Sequence, residues 1–293
     1  MADVFAKCTP AVAVFVCKMC IAPFFQRNKL GISVPVPCGK CPECLANRKQ
    51  QWYLRLKAEH SSCRNPSYFV TLTYDDDKLP IDENGNNYVS KVDCQKFFKR
   101  LRFYLDRKFR FYLGAEYGPQ TLRAHYHFVI FDIPLDVDLY AMLQKAWPYG
   151  FITMDVVNDN RLGYVAKYIN SKTVIPSDFV KPFSLMSKGL GICYIDKYKE
   201  YHRADVLNRS YVMDNSVKCA MPRYYKDKIY SQWNKDRLFR QSEVVRFDKE
   251  KRKLEKYVHD HPDDGSHFFD LQQQEKLEKV RKFRKKLLQN GKI

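Results

Sequence analysis

Two histidines stand one residue apart in Arg123-Ala124-His125-Tyr126-His127-Phe128-Val129-Ile130-Phe131. The alternation of large residues on a β-branched, aromatic background predicts a strand. Side chains repeat every second residue along a strand, so His125 and His127 leave one face together. Upstream, Phe111-Tyr112-Leu113-Gly114-Ala115-Glu116-Tyr117 reads as a second strand and Gly118-Pro119-Gln120 as a turn. The resulting hairpin can bring the carboxylate of Glu116 to the imidazole pair. Two nitrogens and one carboxylate oxygen suit Mg²⁺ or Mn²⁺, and Zn²⁺ is a further option. A lone His-x-His is more often two ordinary strand residues, so the reading needs a second unusual element.

That element is Arg161-Leu162-Gly163-Tyr164-Val165-Ala166-Lys167-Tyr168-Ile169-Asn170-Ser171-Lys172, which suits a short helix capped by Asn158 or Asn160. Tyr164 and Tyr168 then fall at i and i+4, about 40° apart around the axis. Two phenols leave one helix face with Lys167 beside them. A phenol is a weak nucleophile at neutral pH, but it can attack a phosphodiester whose charge a bound divalent ion withdraws. The second phenol could attack another phosphate while the first covalent link persists, giving cleavage and rejoining without an energy cofactor.

His125-Tyr126-His127 resembles the His-hydrophobic-His signature of the HUH endonucleases, and Tyr164-Val165-Ala166-Lys167-Tyr168 resembles the paired-tyrosine motif of their rolling-circle initiators. Phe69-Val70-Thr71-Leu72-Thr73-Tyr74 looks like the opening strand of the same domain. Val36-Pro37-Cys38-Gly39-Lys40-Cys41-Pro42-Glu43-Cys44-Leu45, followed by Trp52 and Glu59, is similar to the start of the replication initiators of gokushovirus-type microviruses. Met221-Pro222-Arg223-Tyr224-Tyr225-Lys226 fits that group as well. Tyr126 departs from the usual aliphatic residue, but it points away from the metal face.

The resemblance implies a metal-dependent, strand-specific single-stranded DNA endonuclease and ligase. Tyr164 or Tyr168 would carry a 5′-phosphotyrosine, assisted by Lys167, and His125, His127 and Glu116 would hold the ion. It also implies single-stranded DNA at a phage origin as substrate, host polymerase and helicase as partners, and the cytoplasm of the bacterial host as location. The alternatives are a plasmid or transposon nickase of the same superfamily, and a non-catalytic RNA-recognition-like binding module.

Positioning these residues needs an ordered framework. Tyr68–Tyr74 predicts a strand, Val92–Lys108 a helix capped by Ser90, and then come the hairpin, a helix over Leu135–Trp147, a strand over Gly150–Val157 and the tyrosine helix. The order β-α-β-β-α-β-α predicts an α+β fold with a ferredoxin-like antiparallel sheet, helices on one face and the other face open to a site. Asp75-Asp76-Asp77 reads as a solvated turn rather than a metal site.

The chain divides on this reading into a Cys-rich segment (1–60), the catalytic core (61–175), a DNA-contacting extension (176–230) and a charged helical tail (231–293). In the first segment Cys38-x-x-Cys41-x-x-Cys44 forms a knuckle that, with Cys20 or Cys17, could hold a structural Zn²⁺. Leu45–His60 then predicts a basic helix, its Arg48, Lys49, Arg55 and Lys57 forming a solvated face. Arg123, Lys172, Arg223, Tyr224 and Lys226 are candidates for DNA contact. In the tail, Lys249–Val258 and Leu271–Leu288 read as two helical segments.

The 293 residues include 51 Lys and Arg against 33 Asp and Glu, a net charge of +18, with 20 Tyr and 20 Phe interleaved. Cations answer a phosphate backbone and aromatic rings stack on unpaired bases. Met1–Pro10 lacks the pattern of a signal peptide, and the apolar run Ala11–Val16 is too short to span a bilayer. With a cytosolic setting expected, clustered cysteines among the ten point to metal rather than disulfides.

Overall fold

A computed structural model of the chain describes residues 20–27, 31, 33–118, 120–166, 176, 178–262 and 267–290. A hairpin of β1 (Phe24–Arg27) and β2 (Ser33–Val36) leads into helix α1 (Pro42–Ser61). Strand β3 (Tyr68–Thr73), helix α2 (Lys91–Leu105), strands β4 (Arg110–Tyr117) and β5 (Ala124–Phe131), helix α3 (Leu139–Ala146) and strand β6 (Ile152–Val156) follow. Helix α4 (Asp159–Val165) comes next, then β7 (Ser184–Met186), α5 (Ile192–Ala204), a hairpin of β8 (Tyr211–Asp214) and β9 (Val217–Ala220), and α6 (Arg223–Ile229). Two long helices, α7 (Gln232–Asp260) and α8 (Phe268–Asn290), close the chain.

Five strands form one antiparallel sheet in the order β6-β3-β5-β4-β7. The run β3-α2-β4-β5-α3-β6, with β3 and β5 central, has the split β-α-β connectivity expected of the α+β chain. The period of two sorts its side chains cleanly. Val70, Leu72, Leu113, Ala115, Tyr126, Phe128 and Ile130 face α2 and α3, where Phe97, Phe98, Leu101, Leu143 and Trp147 complete the main core.

The opposite face is not open along its length, as the sequence led us to expect. Phe69, Tyr112, Val129 and Phe131 are buried there under Leu56 of α1 and Leu162 and Val165 of α4. Only the end of this face that carries Thr73, His125 and Glu116 lies beyond those two helices. α1 therefore belongs to the sheet's second layer. Its other side, with Leu54, meets a third cluster of Ile195, Val206, Val212, Met221, Tyr225 and Ile229 from α5, the β8-β9 hairpin and α6.

Local chemistry sets the element ends. Pro42 occupies the first turn of α1, so the helix starts earlier than Leu45. The Ser90 hydroxyl accepts from the Asp93 N–H at 3.2 Å to cap α2, which stops at Leu105 because Asp106 turns left-handed at φ 46°. Asp138 caps α3 through the Ala141 N–H at 3.1 Å, four residues after the expected start. Asp75 opens a short 3₁₀ turn over Asp76–Lys78, as a solvated acidic turn should. No helix among the described residues is long and apolar enough to cross a membrane.

Candidate active site

The register of the sheet assembles the site. His125 lies opposite Glu116 on β4 and Thr73 on β3, and His127 opposite Gly114 and Thr71. Glu116, His125 and His127 thus share one face across two adjacent strands, and one ligand atom from each lies within 4.8 Å of the others. His125 Nε2 is 3.9 Å from Glu116 Oε2. The His125 Nδ1–H donates to the Arg123 carbonyl at 3.0 Å, which leaves Nε2 as the nitrogen with a lone pair. His127 Nδ1 pairs with the Thr71 hydroxyl at 2.9 Å, so its ring too is oriented through Nδ1. Gly114, with no side chain opposite His127, leaves space at the centre.

Both imidazoles are held neutral. Burial pushes the His125 pKa below the usual value for histidine. Burial, and then the neighbouring His125, push His127 down to about 3. Neutral imidazole is the form that binds a metal, and two such nitrogens with a carboxylate oxygen form a donor set for a divalent ion. The buried rings, their fixed Nδ1 partners and the adjacent Glu116 fit that group.

Tyr164 reaches the same place from α4. The Asn158 side chain accepts from the Arg161 N–H at 2.9 Å, which settles the choice of cap and starts the helix just past β6. Leu162 and Val165 anchor it to the sheet, and the Tyr164 ring meets His127 edge-on with centroids 5.8 Å apart. Phe69, stacked on His127 at 5.5 Å, also contacts Tyr164 at 6.0 Å. The Tyr164 side chain remains 43% exposed. Lys167, Tyr168 and Lys172 lie outside the described residues. Thr71 and Phe69 were not singled out for the site from sequence; the alternation of Phe69, Thr71 and Thr73 along β3 is the signal that places them there.

Four cysteines form a second centre. The sulfurs of Cys20, Cys38, Cys41 and Cys44 lie within 4.8 Å of one another, with Cys20 and Cys41 at 3.8 Å. A tetrahedral zinc with Zn–S bonds of about 2.3 Å places its sulfurs about 3.8 Å apart, whereas a disulfide needs about 2.05 Å. The Lys40 and Cys41 N–H groups donate to Cys38 Sγ at 3.4 and 3.3 Å, and the Cys38 N–H donates to Cys20 Sγ at 3.2 Å. The Lys40 donation, ahead of the others, lowers the Cys38 thiol to about 6, while burial raises Cys20 and Cys44. The cluster is compatible with a structural Zn²⁺, with Cys20 as the fourth ligand; Cys17 lies outside the described residues.

The basic residues of α1 are not a uniformly solvated face. Arg55 is sandwiched between Trp52 and Tyr224, its guanidinium carbon 4.1 and 4.0 Å from their centroids, and donates to the Leu190 carbonyl at 3.1 Å. Lys57 bridges Asp159 at 2.9 Å and Asp214 at 2.8 Å. Glu59 is buried, pairs with Arg110 and accepts from the Gly191 N–H at 2.7 Å. The partners that draw these groups inward are 51 to 169 positions away along the chain, out of reach of any local pattern.

Among the candidates for DNA contact, Arg123 donates to Asp76 at 2.6 Å and to the Tyr74 carbonyl at 2.7 Å over the end of β3. Arg223 projects its side chain into solvent from α6, 3.5 Å from Asp227. Tyr224 lies on Arg55, and Lys226 is half-buried on the same helix.

The sheet, its Glu-His-His cluster and the adjacent tyrosine are the setting in which the comparisons with known proteins fall. Residues 67–173 match the family model of the replication-associated protein ORF2. Over 237 residues, 73% of each chain, the sequence is 27% identical to replication-associated protein ORF2 of Spiroplasma virus 4. It is 28% identical over 225 residues to replication-associated protein ORF4 of Chlamydia phage 1, covering 67% of this chain and 54% of that one. It is 29% identical over 222 residues to replication-associated protein VP4 of Bdellovibrio phage phiMH2K, 67% of each chain. No solved structure matches. The resemblance carried by the motifs therefore holds, and the chain is a relative of these rolling-circle initiators of microvirus-type phages.

Proposed function

We propose that the protein initiates phage DNA replication as an HUH-type nickase, cutting a single strand at the origin and rejoining it through tyrosine. The observation that carries this reading is the cluster of Glu116, His125 and His127 with the Tyr164 ring against His127 on the same face of the sheet. The Tyr164 hydroxyl oxygen bonds to phosphorus as the bond from phosphorus to the 3′-oxygen breaks. The phenol proton leaves to solvent, and the 3′-oxygen leaves as a hydroxyl on which a host polymerase, with a helicase, can extend. Glu116, His125 and His127 would hold Mg²⁺ or Mn²⁺, which supplies charge withdrawal from the phosphate in the transition state.

Phe69 and Thr71 fix the ring of His127, so the ligand set meets substrate already oriented. Tyr168, with Lys167 beside it, would supply the second attack that closes the circle, as the family motif implies. The basic surface, including Arg123, Lys172, Arg223, Tyr224 and Lys226, would hold the strand. The cysteine centre with Zn²⁺ would fix the segment before α1.

The test is incubation of the full chain with a pool of single-stranded oligonucleotides and Mn²⁺, followed by denaturing electrophoresis. A covalent protein–DNA adduct is expected, mapped to Tyr164 or Tyr168 and absent when both are changed to Phe. No adduct from the wild-type chain, or an adduct that survives the double substitution, overturns the reading.

A further inference from the structure

Phe151 precedes β6 at the open end of the sheet. The Thr73 N–H donates to the Phe151 carbonyl at 3.0 Å, which extends the β3-β6 register by one pair beyond Leu72 and Ile152. Ile152 points into the main core, so the alternation places Phe151 on the face of Thr73, His125 and Glu116. These four form one row across β6, β3, β5 and β4. Two strand spacings separate Phe151 from His125, about 10 Å.

The backbone of this residue is held hard while its ring is bare. The Trp147 indole donates to the Thr73 carbonyl at 3.0 Å, and the Asp75 N–H donates to the Tyr149 carbonyl at 2.8 Å. Gly150, at φ +155°, lies so close to β3 that a Cβ there would meet Asp75 N at 2.4 Å and Thr73 O at 2.5 Å. The turn that presents Phe151 is thus fixed to the end of β3 from both sides. The ring itself is 67% exposed. α4 covers the same face only farther along, at Phe69 and Val129, and leaves this row uncovered. Over β3, the strand between Phe151 and His125, lies the guanidinium of Arg123, held by the carbonyl of Tyr74 and an exposed Asp76.

We propose that Phe151 is a stacking platform for an unpaired base of the substrate strand, next to the phosphate gathered at the Glu116-His125-His127 centre. A rigid aromatic face, a cation one strand away and a chain of net charge +18 fit a single-stranded nucleic acid. The phosphate trades Asp76 for itself at Arg123, a charge-assisted exchange at an exposed pair. Stacking holds the neighbouring nucleotide in place while the phosphate is cut. This inference rests on the nickase reading for the identity of the strand.

Binding of the full-length chain to a short oligothymidylate is compared with binding to an abasic strand of equal length, by fluorescence anisotropy without divalent metal. Phe151→Ala should weaken oligothymidylate binding about tenfold and leave the abasic strand nearly unaffected, and Phe151→Trp should restore the difference. Equal affinity of Phe151→Ala and wild type for oligothymidylate overturns the proposal, as does an equal loss on both strands. The adduct assay in Mn²⁺ is a separate readout. A Phe151-dependent preference for bases in a chain that forms no adduct keeps the platform and removes the nickase; an adduct without that preference does the reverse.

Discussion

Acid should destabilise the metal-free protein through His127, by an amount that follows from its burial. In the folded chain its pKa lies at about 3, and in the unfolded chain at the ordinary histidine value of about 6.5. Between those limits the unfolded state binds a proton that the folded state refuses, so stability rises with pH and falls as pH drops. The contribution is fully present above about pH 6.5 and is lost as pH falls toward 3. Its slope approaches about 1.4 kcal/mol per pH unit, so acidification from about pH 6.5 to 5 costs about 2 kcal/mol at this one residue. Urea unfolding at stepped pH in the presence of a chelator measures the sum, to which His125, His60 and His202 add in the same direction because burial lowers them too. His127→Asn isolates the term, since its amide can still meet the Thr71 hydroxyl but does not titrate. The variant should lose stability less steeply than wild type, by about 1 kcal/mol per unit below pH 6. Parallel lines for the two proteins would refute the claim that His127 is kept neutral by its surroundings.

Three further outcomes follow from the geometry. Gly191→Ala should cost about 2–4 kcal/mol in urea unfolding, because φ is +76° and a Cβ would meet the Tyr225 hydroxyl and the Arg55 carbonyl at 2.6 and 2.7 Å; an unchanged midpoint would show that the loop moves aside. Glu59→Gln should destabilise by about 3–5 kcal/mol by leaving Arg110 without its buried carboxylate, and a loss below about 1 kcal/mol would place that pair in solvent. The chain as purified should carry about one zinc by elemental analysis, lost in Cys38→Ser and in Cys44→Ser; a zinc-free wild type with intact thiols would dismiss the centre.

Much of the site was legible because it rests on a short period. His125, His127 and Glu116 lie on two strands joined by a tight turn, where alternation alone decides which side chains meet. Asn158, Ser90 and Pro42 are local signals and were either read or within a few residues of being read. What stayed hidden is non-local. Helix α5 and the β8-β9 hairpin bury tyrosines and single aliphatic residues against α1, so neither shows a clean apolar stripe of its own. Asn215 and Ser216 do mark the hairpin turn, both with positive φ (45° and 64°), yet the strands they join are only four residues long. The covering of the sheet's second face by α1 was equally unreadable, since that helix precedes the sheet and carries four cations along its length. Arg55 and Lys57 look solvated in sequence because the groups that enclose them come from Leu190, Asp214 and Tyr224.

Those same contacts bear on where the chain can be cut. Lys57 holds Asp159, at the start of the helix that presents Tyr164, and Asp214, in the hairpin two elements beyond the sheet, with one ammonium group. A protein truncated at residue 175 would strip Lys57 of Asp214, Arg55 of its Tyr224 ring, and Glu59 of the Gly191 amide in a single step. The minimal fragment that keeps its nucleophile in register therefore extends at least through α6.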